Sequence, residues 1–340
     1  MIEIIINPSN TRDILTQISK DLGGHIEERW GEYTMTIDNA NAKGKIIYIP
    51  LDWGVNLLDF DIKFNKEFIL KIEGEDFNPI HFMYNLQGYF LHRFGVQNKE
   101  HKTEQFQSVI FTNKSEGINY IHFPKSEKLQ LNLIQIVRKE FMKKRTTNVS
   151  SLNQKLYEVF VDTDHENRFS HFGELNLKMA DDVKSIHKIK SKGMLRILKV
   201  EAKVYEILSL HIQQHERQTK GKKLPTSVST KELKTIKKIC DLIQKEPAKQ
   251  YSLDQLSIDY GLSQAKLQDG FKFIYKRTVT EFIRHIRLEQ SRNLMKTTDL
   301  NISQIVYSIG FTSRSYFSKI FKEKFGISPN EFKKQIVAKV

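Results

Sequence analysis

Along the first ~130 residues the apolar positions come in short runs broken by glycine, proline, asparagine and charge. KIIYIPL (45–51), LLDFDIKF (57–64), FILKIEG (68–74), HFMYNLQGYFLHRFG (81–95), SVIFTN (108–113) and INYIHFP (118–124) are rich in β-branched and aromatic residues and predict strands. LQLNLIQI (129–136) sets Leu129, Leu131 and Leu133 on one side, the period of a half-buried strand. Many short strands at regular spacing predict a sandwich or small barrel. From about residue 150 the period turns helical. SLNQKLYEVF, ELNLKMADDVKSIHKI and MLRILKVEAKVYEILSLHIQ carry apolar residues three and four apart, and in the last Met194, Leu198, Tyr205, Leu208 and Ile212 share a face that Glu201 interrupts. That face fits either pairing with a second copy or packing on the chain's own β-domain. Residues 216–230, with Gly221 and Pro225, read as a polar linker, and every later segment is helical.

The last hundred residues hold one pattern twice. Leu253, Gln255, Leu256 and Gly261 match Ile302, Gln304, Ile305 and Gly310 at an offset of 49, and Phe271, Lys272, Glu281 and Phe282 match Phe321, Lys322, Glu331 and Phe332 at an offset of 50. Each copy has the makings of a helix-turn-helix. Ser252 and Asn301 are N-caps, with Gln255 and Gln304 placed to return a bond to the cap. Gly261 and Gly310 stop the short first helix, because glycine enters the left-handed region without a Cβ penalty. Ser263, and Thr312 or Ser313, can cap a second helix that buries Leu267 and Phe271 in one copy and Phe317, Ile320 and Phe321 in the other. Further caps follow at Thr278 with Glu281 and at Ser328 with Glu331, with Pro329 at the first helical position. A helix over 279–296, roughly 25 Å long at 1.5 Å per residue, would join the copies. Such a strut suits two second helices in major grooves about one DNA turn, ~34 Å, apart.

Charge supports a polyanion partner. The chain of 340 residues is +14, and its excess is uneven: residues 1–150 are net 0, whereas 231–340 are net +10. The single cysteine, Cys240, excludes a disulfide framework or a multi-cysteine metal site, suits a reducing cytoplasm, and reads as a buried small side chain. No apolar stretch approaches the ~20 residues of a membrane span, and the first residues lack the pattern of a secretory signal. His25, His81, His92, His101 and His122 lie in the strand-rich part without a close His-x-His pair, so structural or surface roles are expected and no metal or cofactor is called for. No nucleophile elbow, P-loop or zinc-protease motif occurs, so no enzymatic activity is expected. Trp53, Phe60, Phe82, Tyr84, Tyr89 and Phe90 would serve core packing or enclose an apolar effector, with core packing preferred.

The second copy, DLNISQIVYSIGFTSRSYFSKIFKEKFGISPNEF (299–332), meets the pattern I-A/V-x-x-x-G-F-x-x-x-S/x-Y-F-x-x-x-F-K-x-x-x-G-x-x-P at Ile305, Gly310, Phe311, Tyr316, Phe317, Phe321, Lys322, Gly326 and Pro329. RLEQSRNLM (287–295) fits the linker helix. On these residues the segment 231–336 resembles the DNA-binding domain of AraC/XylS transcription regulators. The resemblance covers about a third of the chain. It implies a jelly-roll, cupin-like sensing domain over 1–140, a helical dimerisation segment over 150–215, the linker at 216–230 and an all-α domain with two helix-turn-helix units. It also implies a cytoplasmic, effector-responsive activator that binds double-stranded DNA, forms a homodimer and meets RNA polymerase. The alternative is a regulator without a ligand, controlled by abundance or a protein partner. By position, the resemblance offers Gln264, Ala265, Gln268 and Asp269 as base-contact residues in the first recognition helix, and Arg314, Ser315, Ser318 and Lys319 in the second. Arg314 suits guanine O6/N7 and Gln268 suits adenine N6/N7. Lys272, Arg284, Lys319 and Lys322 are phosphate candidates. Three positions depart from what the family often carries. Asp269 is an acid where a basic or amide residue is usual. Lys276 replaces a helix-closing glycine, so a different turn is expected there. Gly270 stands inside a helix, at a cost of about 1 kcal/mol relative to alanine.

Overall fold

A computed structural model describes residues 2–6, 14–74, 78–144, 149–221 and 226–337. The chain divides into two compact units, residues 1–223 and 224–340. Residues 222–225 of the expected linker lie outside the described residues.

The N-terminal unit is built on two sheets. In chain order its strands are β1 (Ile2–Ile6), β2 (His25–Arg29), β3 (Glu32–Asp38), β4 (Ala42–Pro50), β5 (Val55–Phe64), β6 (Phe68–Gly74), β7 (Ile80–Gln87), β8 (Phe90–Phe94), β9 (His101–Thr103), β10 (Ser108–Thr112), β11 (Gly117–Phe123), β12 (Lys128–Ile136) and β13 (Phe169–Gly173). One sheet runs β13-β10-β7-β12-β5-β4-β3-β2 and the other β1-β6-β11-β8-β9. From β5 to β12 the chain crosses between sheets, apart from the β8–β9 hairpin within one sheet, and pairs antiparallel, the winding of a jelly roll. Helix α1 (Ile14–Leu22) closes against the same core with Ile14, Leu15, Ile18 and Leu22.

Inward-facing residues fill the space between the sheets. Leu129, Leu131 and Leu133 all enter it, as their period requires. Phe64, Phe68 and Phe123 stack there with centroids 4.5–5.7 Å apart, and Phe60 and Phe90 lean on the same group. The aromatic residues considered for an effector chamber do not meet in one space. Phe60 and Phe90 are inner core, Phe82 and Tyr84 point to the opposite face, and Trp53 is exposed. The run 81–95 also proves to be two strands in different sheets. Gly88, at φ 83°, makes the break, and a Cβ there would stand 2.8 Å from the Lys128 carbonyl.

The outer face of β7 and β12 is buried as well, which hides the period-2 signal. It is covered by α2 (Arg138–Phe141), α3 (Gln154–Val161), α4 (Leu177–His187) and α5 (Gly193–Thr219). Phe82 meets Phe160 and His211, and the Tyr84 hydroxyl donates to the Asn176 carbonyl at 2.7 Å. The segment expected to be helical therefore contains a strand, β13, which pairs with β10. Helix α5 continues through Thr219, so the expected linker begins as helix. It buries Val200, Val204, Ile207, Leu208 and His211 within its own unit, while Met194, Leu195 and Leu198 at its start stay exposed.

The C-terminal unit is all helix: α6 (Thr230–Lys245), α7 (Leu253–Tyr260), α8 (Gln264–Tyr275), α9 (Val279–Thr297), α10 (Ile302–Ser308), α11 (Arg314–Phe325) and α12 (Pro329–Val337). Cys240 is buried on α6. Around α10 and α11 a core gathers Ile305, Val306, Phe317, Ile320 and Phe321 with Leu288 and Met295 of α9.

Candidate nucleic-acid interface

Two bihelical pairs, α7–α8 and α10–α11, flank α9. Local chemistry starts and stops each helix. Ser252 and Asn301 accept the backbone N–H three residues on, and Asn301 forms the full box with Gln304. Gln255 instead turns to Asp259 at 2.6 Å, so the first box stays open. Ser263 and Ser313 cap α8 and α11, and Gly261 (φ 62°) makes the left-handed turn before α8. Thr278 with Glu281 and Ser328 with Glu331 form complete boxes. These exposed carboxyls sit below their ordinary pKa because the caps' N–H and O–H groups donate to them. A further box, Ser229 with Glu232, opens α6, and the S-x-x-E spacing at 229–232 is the signal that sequence reasoning passed over.

The first side chain of each recognition helix is held in the same way. Gln264 bonds the Asp254 carboxylate, and Arg314 Nη1 bonds Ser303 Oγ at 3.3 Å. Gln264 and Arg314 are equivalent in the repeat, and so are Asp254 and Ser303. Gln264, Ala265, Arg314, Ser315, Lys319, Lys272 and Lys322 are exposed, whereas Ser318 and Arg284 are half-buried.

Gln268 and Asp269 have internal partners. Gln268 Oε1 accepts from the Val279 N–H at 3.2 Å, which satisfies an open donor at the start of α9. Asp269 Oδ2 accepts from Ser227 Oγ (2.7 Å), Ser227 N (3.0 Å) and Thr226 Oγ1 (3.0 Å), and these bonds hold its carboxyl below the usual range. The acid thus fixes the chain entering α6 to the recognition helix. Beside it, Lys266 pairs with Glu232 at 2.5 Å and, with the Ser229 donors, brings that carboxyl down to about 2. Lys276 was expected to change the turn after α8. It does not: Lys276 takes the left-handed conformation (φ 55°), as Gly326 does after α11 (φ 78°).

Arg287 was not anticipated as a functional residue. From α9 its guanidinium donates to the carbonyls of Pro247 (2.9 Å), Lys249 (3.0 Å) and Gly310 (2.9 Å). It joins the loop after α6 to the turn of the second pair. On the other side of α9, Lys324 of α11 pairs with Glu289 at 2.8 Å. These ties fasten the turn of the second pair and α11 to α9, and α9 to the loop before α7. Between α9 and α11 a cleft of about 390 Å³ is lined with Lys276, Arg277, Arg284 and Lys324 together with the carboxylates Glu281 and Glu323, so cations outnumber acids there.

Residues 256–335 match the family model described as a helix-turn-helix domain. A curated histidine kinase P4 of Formosa agariphila is 34% identical over 107 residues, which is 31% of this chain and 8% of that protein. The HTH-type transcriptional regulator MtrA of Neisseria gonorrhoeae is 30% identical over 102 residues, 29% of this chain and 34% of its own length. The TCP pilus virulence regulatory protein of Vibrio cholerae is 46% identical over 52 residues, 15% of this chain and 19% of that protein. The chain thus spans about a third or less of each of these relatives.

Proposed function

We propose that this chain, whose C-terminal unit is a double helix-turn-helix domain of the AraC/XylS type, is a sequence-specific DNA-binding transcription regulator. The observation that carries the reading is the repeated cross-brace: the first residue of each recognition helix is exposed, polar and held by the same position of the preceding helix. Two such helices on one braced scaffold suit two adjacent major grooves of double-stranded DNA. MtrA and the Vibrio regulator are named as regulators, which agrees with this use of the domain.

In this reading Gln264, Ala265, Arg314, Ser315, Ser318 and Lys319 meet bases. Lys272, Lys322 and Arg284 meet phosphate. Gln268 and Asp269 act as supports, because Gln268 Oε1 and Asp269 Oδ2 already accept from the chain's own N–H and O–H groups. The two halves are unequal. Lys319 stands where the first half has Asp269, so the second recognition helix carries the more positive DNA-facing side. The N-terminal jelly roll is the sensing part, the chain acts as an activator that contacts RNA polymerase, and two copies pair through the exposed Met194, Leu195 and Leu198 of α5. No described helix is long and apolar enough to cross a membrane, and a cytoplasmic location is part of the proposal.

The test is an operator selected from random duplexes with the full chain, followed by Arg314→Ala. The variant should lose ~1–3 kcal/mol on the selected site and relax one base position. Equal loss on selected and random DNA would move Arg314 to the backbone. Failure to select any sequence would end the reading.

A further inference from the structure

Beyond its pairing with β10, strand β13 is the edge of the eight-stranded sheet, and between it and α3 lies a cleft of about 630 Å³. That is the size of a small-molecule site. Lys155 and Val159 of α3 form one wall, Arg168 and Phe169 the other, and buried Thr112 of β10 lies at its inner end. Glu158 and Asp162 also line it, but both already accept hydrogen bonds. Asp162 takes the N–H groups of Glu166 and Asn167 at 2.9 Å, and Glu158 takes the Gln154 amide at 2.8 Å.

The cations are differently placed. Among the described residues neither Lys155 nor Arg168 forms an ion pair, and the Arg168 guanidinium lies over the Phe94 ring at 5.0 Å. A third cation stands behind the inner wall. Arg138 is 2% exposed, and it donates to Val159 O at 2.7 Å, Thr112 Oγ1 at 2.8 Å and the Asn78 carbonyl, with His165 Nδ1 at 3.2 Å. None of these partners is a carboxylate. Burial lowers its pKa to about 10, so it remains charged at neutral pH. The charge of Asp162, at the cleft wall, opposes the effect of burial on Arg138, but no carboxylate bonds the guanidinium directly, and an anion in the cleft would offset more of the cost of burying it.

We propose that the α3–β13 cleft binds a small organic anion, its oxyanion head between Lys155 and Arg168 over the buried Arg138 and its apolar body against Val159 and Phe169. The site rests on the sensing reading only for its regulatory meaning. Titration calorimetry and thermal unfolding of the full chain should use three probes with one aromatic body: phenylacetate, phenyl phosphate and neutral phenylacetamide. Both anions should bind and raise the unfolding temperature, the amide should not, and the stronger anion identifies a carboxylate or a phosphate head. Lys155→Met and Arg168→Met keep the apolar stems and should each weaken binding about tenfold or more. Their unliganded unfolding temperatures should stay at the parent value, which separates lost binding from lost folding. Equal binding of the amide, unchanged binding by the double variant, or no binding of either anion at millimolar concentration would overturn the site. Anion binding that leaves operator affinity unchanged would retire the sensing reading and leave the site standing.

Discussion

Lys276 and Gly326 close α8 and α11 from equivalent positions, and each donates its N–H to the carbonyl four residues back, at 3.0 and 2.9 Å. The backbone is the same, but only one of the two residues is suited to it. A left-handed residue with a Cβ carries ~1–2 kcal/mol of strain, part of which glycine's greater unfolded-state freedom would cancel. Lys276→Gly is therefore expected to stabilise the C-terminal unit by about 0.5–1 kcal/mol in denaturant unfolding. Destabilisation would mean that the lysine side chain contributes more than its backbone costs. Asp269 makes the opposite case, a residue whose chemistry suggests one role and whose surroundings assign another. An acid in a recognition helix can accept from cytosine N4. Here Thr226 and Ser227 occupy the oxygen. Asp269→Ala should cost roughly 1 kcal/mol of stability and leave the selected operator sequence unchanged. A shifted base preference in the first half-site would return Asp269 to the set of reading residues.

At the scale of elements, the C-terminal unit was legible because its period, caps and turn glycines all point the same way. What stayed hidden there depends on distant contact. Gly270 reads as a flaw in a helix until α6 is placed against it, where a Cβ would fall 2.1 Å from Ile236 Cδ1. The glycine is needed for close approach. Gly270→Ala should destabilise by ~1–3 kcal/mol through overpacking. Ile236→Val removes the clashing methyl, so adding it to Gly270→Ala should recover part of the loss. A double variant as unstable as the sum of the singles would show that the clash is not the cause. In the N-terminal unit the strands were legible but their faces were not. Helices cover β7 and β12 from outside, so Phe82, Ile134 and Ile136 are as buried as Leu131 and Leu133 and the alternation disappears. Strand β13 was missed because FSHFG is short and lies in a helical neighbourhood, and only pairing with β10 makes it a strand. The exposed lysines Lys272, Lys319 and Lys322 were legible from type and position. Arg287 was not, because its three partners are backbone carbonyls that leave no mark in the sequence.

For the whole molecule, the distribution of buried histidine predicts that the two units respond differently to acid. In the N-terminal unit His81, His92 and His211 are almost wholly buried. Burial brings His81 down to about 3, with the charges of His92 and Arg138 adding to it; His92 falls to about 4 against the opposing Asn119 bond, and His211 to about 3 with His171 adding. The unfolded chain takes protons at these sites below pH ~6.5. The folded unit refuses them until its own, lower values are reached. Stability is therefore complete above ~6.5 and falls as pH drops toward ~4, by about 1.4 kcal/mol per pH unit for each such histidine. His187 acts in the other sense. Its bond to Asp59, at 2.7 Å, raises its pKa, so its contribution is present below ~6.5 and lost as pH rises through the raised value. One such group does not balance three. The C-terminal unit holds one histidine of this kind, His285, lowered by burial and by the charge of Lys324, and otherwise relies on capping and paired carboxyls, Glu232, Glu281, Glu289 and Glu331, whose depressed values keep their contribution intact until pH falls below ~4.5. Between pH ~6.5 and ~4.5 the jelly roll should thus lose more stability than the C-terminal unit. Trp30 and Trp53, the only tryptophans, both lie in the N-terminal unit, so tryptophan-detected thermal unfolding follows that unit alone. Its midpoint should drop through this window while operator binding by anisotropy persists. His211→Phe, which keeps a ring against Phe82, should flatten the drop by the share of one proton. A midpoint that stays level from pH 7 to 5 would mean these imidazoles are as free to ionise in the folded chain as in the unfolded one.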